Sequence, residues 1–127
     1  KIGDIVSFSY TLWSLGKTYT MLGRLDKAAE YFKQAQGFFK KTKDPRGIIY
    51  CKLGMGEIEF LRGRLSSALV NLNAAFRDSL SNGFSVENCH ADALLSFVNK
   101  NNGKSGNRCY NKLGLKLKFA GIPFNIP

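Results

Sequence analysis

Residues 15–35 read LGKTYTMLGRLDKAAEYFKQA, and a shift of forty residues lays them on residues 55–75, MGEIEFLRGRLSSALVNLNAA. Leu15-Gly16, Gly23-Arg24-Leu25, Ala28, Phe32 and Ala35 fall on Met55-Gly56, Gly63-Arg64-Leu65, Ala68, Leu72 and Ala75. An echo of this length marks supersecondary units that stack on one another, and the face such stacks leave open is commonly a binding surface.

Each unit reads as a pair of helices. Ile5, Phe8, Leu12, Leu15, Tyr19 and Leu22 recur at three- and four-residue steps, which predicts a helix over about 4–22 with one apolar face. Gly23 supplies the left-handed residue that ends it, and Asp26 is the expected cap of the next helix. Gly63 and Ser66 offer the same stop and start in the second unit. The second helix carries Ala28, Ala29, Phe32, Ala35 and Phe39, small and large residues alternating on the face that meets its partner. Lys40, Lys41 and Lys43 suit a helix C-terminus, whose free carbonyls carry partial negative charge, and Asp44-Pro45 suits the next N-terminus. Asn82-Gly83 closes the second unit. Val86, Cys89, Ala93, Leu94 and Phe97 predict a further helix over 85–99, the loop 101–107 follows, and a last short helix is expected from about Arg108. From Leu113 to Phe119 apolar residues alternate in a way that also suits a strand, while Pro123 and Pro127 make 121–127 an extended tail expected to fold back over the last helix face.

The first unit resembles the tetratricopeptide repeat family, in a variety with units of about forty residues instead of about 34. Leu15-Gly16, Tyr19, Ala28, Phe32 and Ala35 carry the likeness; the second unit has Met55 for the leucine and Glu59 for the aromatic residue, and the third departs further. The resemblance implies an all-α fold, a right-handed α-solenoid of about three helix-turn-helix units at about 4–43, 44–83 and 84–120, the last degenerate and capping. Residues 1–120 then form the repeat domain and 121–127 the tail. Lacking an initial Met, the chain reads as a piece of a larger protein, and its first helix either begins the stack or packs on an upstream unit.

In this family the first helix of each unit lines the concave side. Carried over, that places Tyr10, Trp13, Lys17 and Thr20, then Tyr50, Leu53, Glu57 and Phe60, then His90, Ala93, Phe97 and Lys100 along a groove. An aromatic groove suits a peptide or partner protein with apolar side chains, although each ring has core packing as its alternative role. The family's carboxylate clamp is not expected, since residues 54–57 supply neither Asn nor a cation and Glu57 repels an acidic terminus.

Charge divides the chain. The net charge is +10, yet all nine acidic residues lie at or before Asp92, and beyond it come Lys100, Lys104, Arg108, Lys112, Lys116 and Lys118. This basic third, with Lys104, Arg108, Lys112, Lys116 and Lys118 as its patch, is the ground for the alternative function, a nucleic-acid-associated module. Self-association through exposed apolar faces is a further expectation. No run is long and apolar enough to span a bilayer, and residues 1–8 lack a signal-peptide core.

No catalytic constellation stands out. Cys51, Cys89 and Cys109 lack the short spacing of a metal or redox pair, so the expected state is reduced, in the cytoplasm, with Cys51 buried as a small apolar group. Cys89 and His90 are neighbours on a helix and point about 100 degrees apart, so they do not share a metal; a packed or groove-lining His90 is expected. Gly103-Lys104-Ser105 imitates a phosphate-binding loop, but Val98 stands where its first glycine belongs. The expectation is therefore a non-enzymatic scaffold with no metal and no cofactor.

Overall fold

A computed structural model of the chain describes residues 2–99 and 109–114. Among these residues five helices run in order: α1 (Ile2–Met21), α2 (Leu25–Lys41), α3 (Pro45–Leu61), α4 (Leu65–Ser81) and α5 (Ser85–Val98), with a helical turn at residues 109–112. Among the described residues there is no strand. Consecutive helices pack on one another, and α3 also touches both α1 and α5. The expected loop 101–107, Lys100, Lys104, Arg108, Lys116, Lys118 and the tail 121–127 lie outside the described residues.

A residue with positive φ sits in each link, at Gly23, Lys43, Gly63 and Gly83. The following amide reaches back over the helix end each time: Arg24 N to Tyr19 O at 2.9 Å, Asp44 N to Phe39 O at 2.9 Å, Arg64 N to Glu59 O at 2.8 Å and Phe84 N to Ser79 O at 2.9 Å. These bonds satisfy carbonyls that a helix end otherwise leaves open. Asp44 caps α3 as expected, its Oδ1 accepting from Gly47 N at 3.0 Å, with Pro45 in the first turn. The other expected caps are corrected. Helices α2 and α4 start one residue before Asp26 and Ser66, behind Arg24 and Arg64, and neither cap residue makes a side-chain cap bond.

The interior is built on the second helix of each hairpin. Ala28, Phe32, Ala35 and Phe39 of α2 and Ala68, Leu72 and Ala75 of α4 are fully buried, and glycines on the facing helices make room for the large ones. A β-carbon added at Gly47 would lie 2.3 Å from the Phe39 ring, and one at Gly56 2.5 Å from Leu72 Cδ2.

The forty-residue register also exposes a difference between the first helices. Gly47, Cys51, Gly54 and Ile58 of α3 are buried, as are Glu87, Ala91, Leu94 and Val98 of α5; at the same positions α1 carries Ser7, Thr11, Ser14 and Thr18, all exposed. Thr11 and Thr18 hydroxyls donate back to the carbonyls of Ser7 and Ser14, each at 3.0 Å. The face of α1 that corresponds to the packed faces of α3 and α5 is hydroxylated and turned to solvent.

One expectation about the cysteines is overturned. Cys89 and Cys109 form a disulfide, their Cα atoms 5.5 Å apart, which joins α5 to the turn at 109–112. The reduced state expected from spacing fails for this pair because folding, not sequence proximity, brings it together, and the argument for a cytoplasmic home drawn from it falls as well. Cys51 is a buried free thiol, pushed up to about 12 mainly by burial. Among the described residues no helix is long and apolar enough to cross a membrane.

Candidate functional site

Where α1, α3 and α5 meet, Trp13, Lys17, Tyr50, Leu53, Gly54, Glu57 and His90 line a narrow cleft of about 300 Å³ counted out to its mouth. Its side chains come from three helices separated in sequence, and the helical period explains why. Trp13 and Lys17 are one turn apart on α1, while Tyr50, Leu53 and Glu57 stand at three- and four-residue steps on α3.

The walls are aromatic. Trp13 and Tyr50 meet edge to face with centroids 5.3 Å apart, and Trp13 Nε1 donates to the Tyr50 carbonyl at 3.3 Å. Lys17 Nζ lies 5.1 Å from the centroid of the Trp13 ring, a distance at which the ring face attracts a cation. Tyr50 is fixed from the far end, its hydroxyl donating to Glu87 Oε2 at 2.7 Å while Arg46 Nε stands 3.6 Å from Glu87 Oε1.

The floor carries polar groups. Glu57 is buried, and desolvation raises its carboxyl to about 8 against the opposing pull of Lys17. Lys17 is in turn lowered, by burial first, with Glu57 working the other way. His90 is 2 % exposed; burial lowers it to about 4, Glu87 opposing and Lys17 adding to the shift. At neutral pH the cleft therefore presents a neutral imidazole and a largely protonated carboxyl. The Nδ1 atom of His90 is hydrogen-bonded to the Tyr110 hydroxyl, and its buried Nε2 has no hydrogen-bond partner among the described residues.

Other residues carried over from the resemblance lie elsewhere. Tyr10 packs edge to face on Phe39 and its hydroxyl donates to Asp44 Oδ2 at 3.3 Å. Thr20 is buried and donates to Gly16 O at 2.8 Å. Phe60 and Phe97 pair with each other, centroids 5.7 Å apart, and Ala93 is buried against Cys89 and Tyr110. Of the basic patch, Lys112 is described; it is exposed and lines a separate hollow beside the disulfide. Tyr110 is the residue that sequence reasoning missed. It is 1 % exposed and its ring lies 5.4 Å from that of His90, and its only advance signal is its place next to Cys109.

The arrangement can hold a small polar group between aromatic walls. Among the described residues no three His, Cys, Asp or Glu side chains gather as metal ligands. The chain matches no protein-family model, no curated protein and no solved structure.

Proposed function

We propose that this chain is a non-catalytic interaction module, built as a tetratricopeptide-like right-handed solenoid, that takes a peptide or a partner protein along the concave side formed by α1, α3 and α5. The observation that carries the reading is the cleft itself, with Trp13, Lys17, Tyr50, Leu53, Glu57 and His90 converging from three helices. The closed interior is small, so a guest lies across the mouth, where the Trp13–Tyr50 pair offers rigid apolar area at low entropic cost. The buried polar groups beneath act as selectors, because a guest that leaves them unpaired loses affinity.

Selection of a random peptide library on the native chain tests this. Binders should lose about tenfold or more in affinity when Trp13→Ala and Tyr50→Ala are combined, with the helical circular dichroism signal retained. Peptides that bind the double variant equally well place recognition elsewhere and sink the groove. The nucleic-acid alternative has the charge distribution of the sequence as its support, and it predicts an affinity that falls steeply with salt.

A further inference from the structure

We propose that the Cys89–Cys109 bridge is a thiol–disulfide exchange site whose state sets the position of His90 and hence the floor of the cleft. Its functional meaning rests on the peptide-groove reading; its chemistry does not.

The bridge is coupled to the cleft through one residue. Cys89 lies in α5 directly before His90, and Cys109 lies directly before Tyr110, so closing the bond brings the Tyr110 ring to 5.4 Å from the imidazole. Tyr110 and Cys89 are both 1 % exposed and pack with Ala93 in one small cluster. Burial keeps the Tyr110 hydroxyl protonated. A neutral phenol and a neutral imidazole share one hydrogen bond at Nδ1 in either tautomer, and in both the Nε2 atom is a buried polar atom with no partner among the described residues. Such an arrangement is unfavourable by itself and persists only where the surroundings hold it. The tether at Cys109 is what holds Tyr110 in place.

The bridge is also open to attack. Cys109 is half-buried, and both cysteines line a solvent-open hollow with Ser79, Phe84, Asn88 and Lys112. Lys112 is one helical turn beyond Cys109, and a nearby cation favours thiolate chemistry. A dithiol reductant supplies the electrons. Its thiolate attacks Cys109 Sγ, forming a mixed disulfide as the Cys89 sulfur leaves and takes a proton; its second thiolate then attacks its own bound sulfur and releases Cys109 as a thiol. The reductant ends as a disulfide and the protein as two thiols, a balanced two-electron exchange. Released from its tether, the turn carrying Tyr110 undocks and water reaches His90. The groups facing the ring are then Glu87 from α5, Lys17 from α1, and Tyr50 and Glu57 from α3.

His90 is the one histidine in the chain and Trp13 the one tryptophan, so each gives an unambiguous signal. The oxidised chain is treated with dithiothreitol without denaturant and its new thiols are alkylated. The expected result is two modified cysteines, retained helical circular dichroism, a His90 titration midpoint by NMR that moves from about 4 toward 6.5, and at least about twofold faster acrylamide quenching of Trp13. Tyr110→Ala with the bridge intact should reproduce the His90 shift. The proposal is overturned if the bridge opens only under unfolding conditions, if the helical signal collapses on reduction, if His90 does not move, or if reduction moves it and Tyr110→Ala does not. None of these readouts uses a groove ligand, so failure here leaves the peptide reading standing, and failed peptide selection leaves this coupling intact.

Discussion

The ring of Phe32 fills the space that Gly54 leaves open: a β-carbon at Gly54 would sit 2.5 Å from Phe32 Cζ, and one at Gly16 of α1 would sit 2.7 Å from Cε1 of the same ring. One buried side chain of α2 is thus held between glycines of α1 and α3. Gly54→Ala should destabilise the fold by about 1–3 kcal/mol, the cost of overpacking exceeding the helix propensity gained. Gly37→Ala is the control. Gly37 lies inside α2 with nothing within 4 Å of an added β-carbon, and its replacement should stabilise by about 0.5–1 kcal/mol. Equilibrium denaturation of the two variants checks the contrast; equal effects would mean that the contact at Phe32 does not constrain α3.

Much of this architecture is legible in the sequence because its determinants are local. Gly23 and Gly63 mark helix ends through backbone freedom, and Ala28, Phe32 and Ala35 mark a buried face through spacing alone. Asp26 and Ser66 do not mark the starts of α2 and α4, because a capping side chain is only one way to start a helix. Here the carbonyls of Arg24 and Arg64 accept from Ala28 and Ala68, each at 3.0 Å, without any side-chain cap. The cleft residues Trp13, Lys17, Tyr50, Leu53, Glu57 and His90 are among those that the tetratricopeptide resemblance implies for an inward face, whereas Thr20, Phe60 and Phe97, implied in the same way, are drawn to other partners. The Cys89–Cys109 pair was illegible because its partners lie 20 residues apart and meet only when the chain beyond α5 returns to it.

Lys43 holds φ at 54°, where the links at 23, 63 and 83 use glycine. A side chain in that backbone region is strained by roughly 1 kcal/mol relative to glycine. Lys43→Gly should therefore stabilise the native state by at most about 0.5 kcal/mol, after the added freedom of the unfolded chain is counted. A melting temperature that falls would show that Lys43 gains more from its side chain than it loses in its backbone.

Stability should depend on pH through Glu57 and His90, with opposite signs. The native Glu57 carboxyl is raised to about 8 from 4.5, so between those values the folded state keeps a proton that the unfolded state has lost, and stability falls as pH rises. Native His90 is lowered to about 4 from 6.5, so the unfolded state binds the extra proton there and stability rises with pH. The two offset each other from 4.5 to 6.5, leaving Glu57 to act without that opposition from 6.5 to 8. Its slope is at most about 1.4 kcal/mol per pH unit. Urea unfolding at several pH values should show a decline of on the order of 1–2 kcal/mol over that upper window, absent in Glu57→Gln. An identical decline in the variant would assign it to another group.

Cys51 should be silent to thiol reagents in the native protein. It is fully buried in one cluster with Leu12 of α1 and Ala35 and Phe39 of α2, and burial pushes its thiol up to about 12, which leaves little thiolate at neutral pH. Native oxidised protein should give no reactive thiol, denaturation alone should reveal one, and denaturation with reduction should reveal three. One thiol reacting before denaturation would place Cys51 at an opening region of the fold.

The Tyr50 hydroxyl and the Glu87 carboxylate join α3 to α5 at the edge of the cleft, with Oη–Oε2 at 2.7 Å and the Glu87 side chain 8 % exposed. Arg46 is the other partner of Glu87, but at 3.6 Å and half exposed it compensates only partly. Tyr50→Phe removes the donor and leaves a buried carboxylate under-bonded, which should cost about 1.5–3 kcal/mol. In a Glu87→Gln background the same change should cost less, because a neutral amide tolerates a lost bond better than an anion does. The double-mutant cycle isolates that difference as a coupling of about 0.5–3 kcal/mol. A coupling near zero would mean that the hydroxyl and carboxylate are neighbours without energetic connection, and the position of Tyr50 in the cleft would then be set by its contact with Trp13.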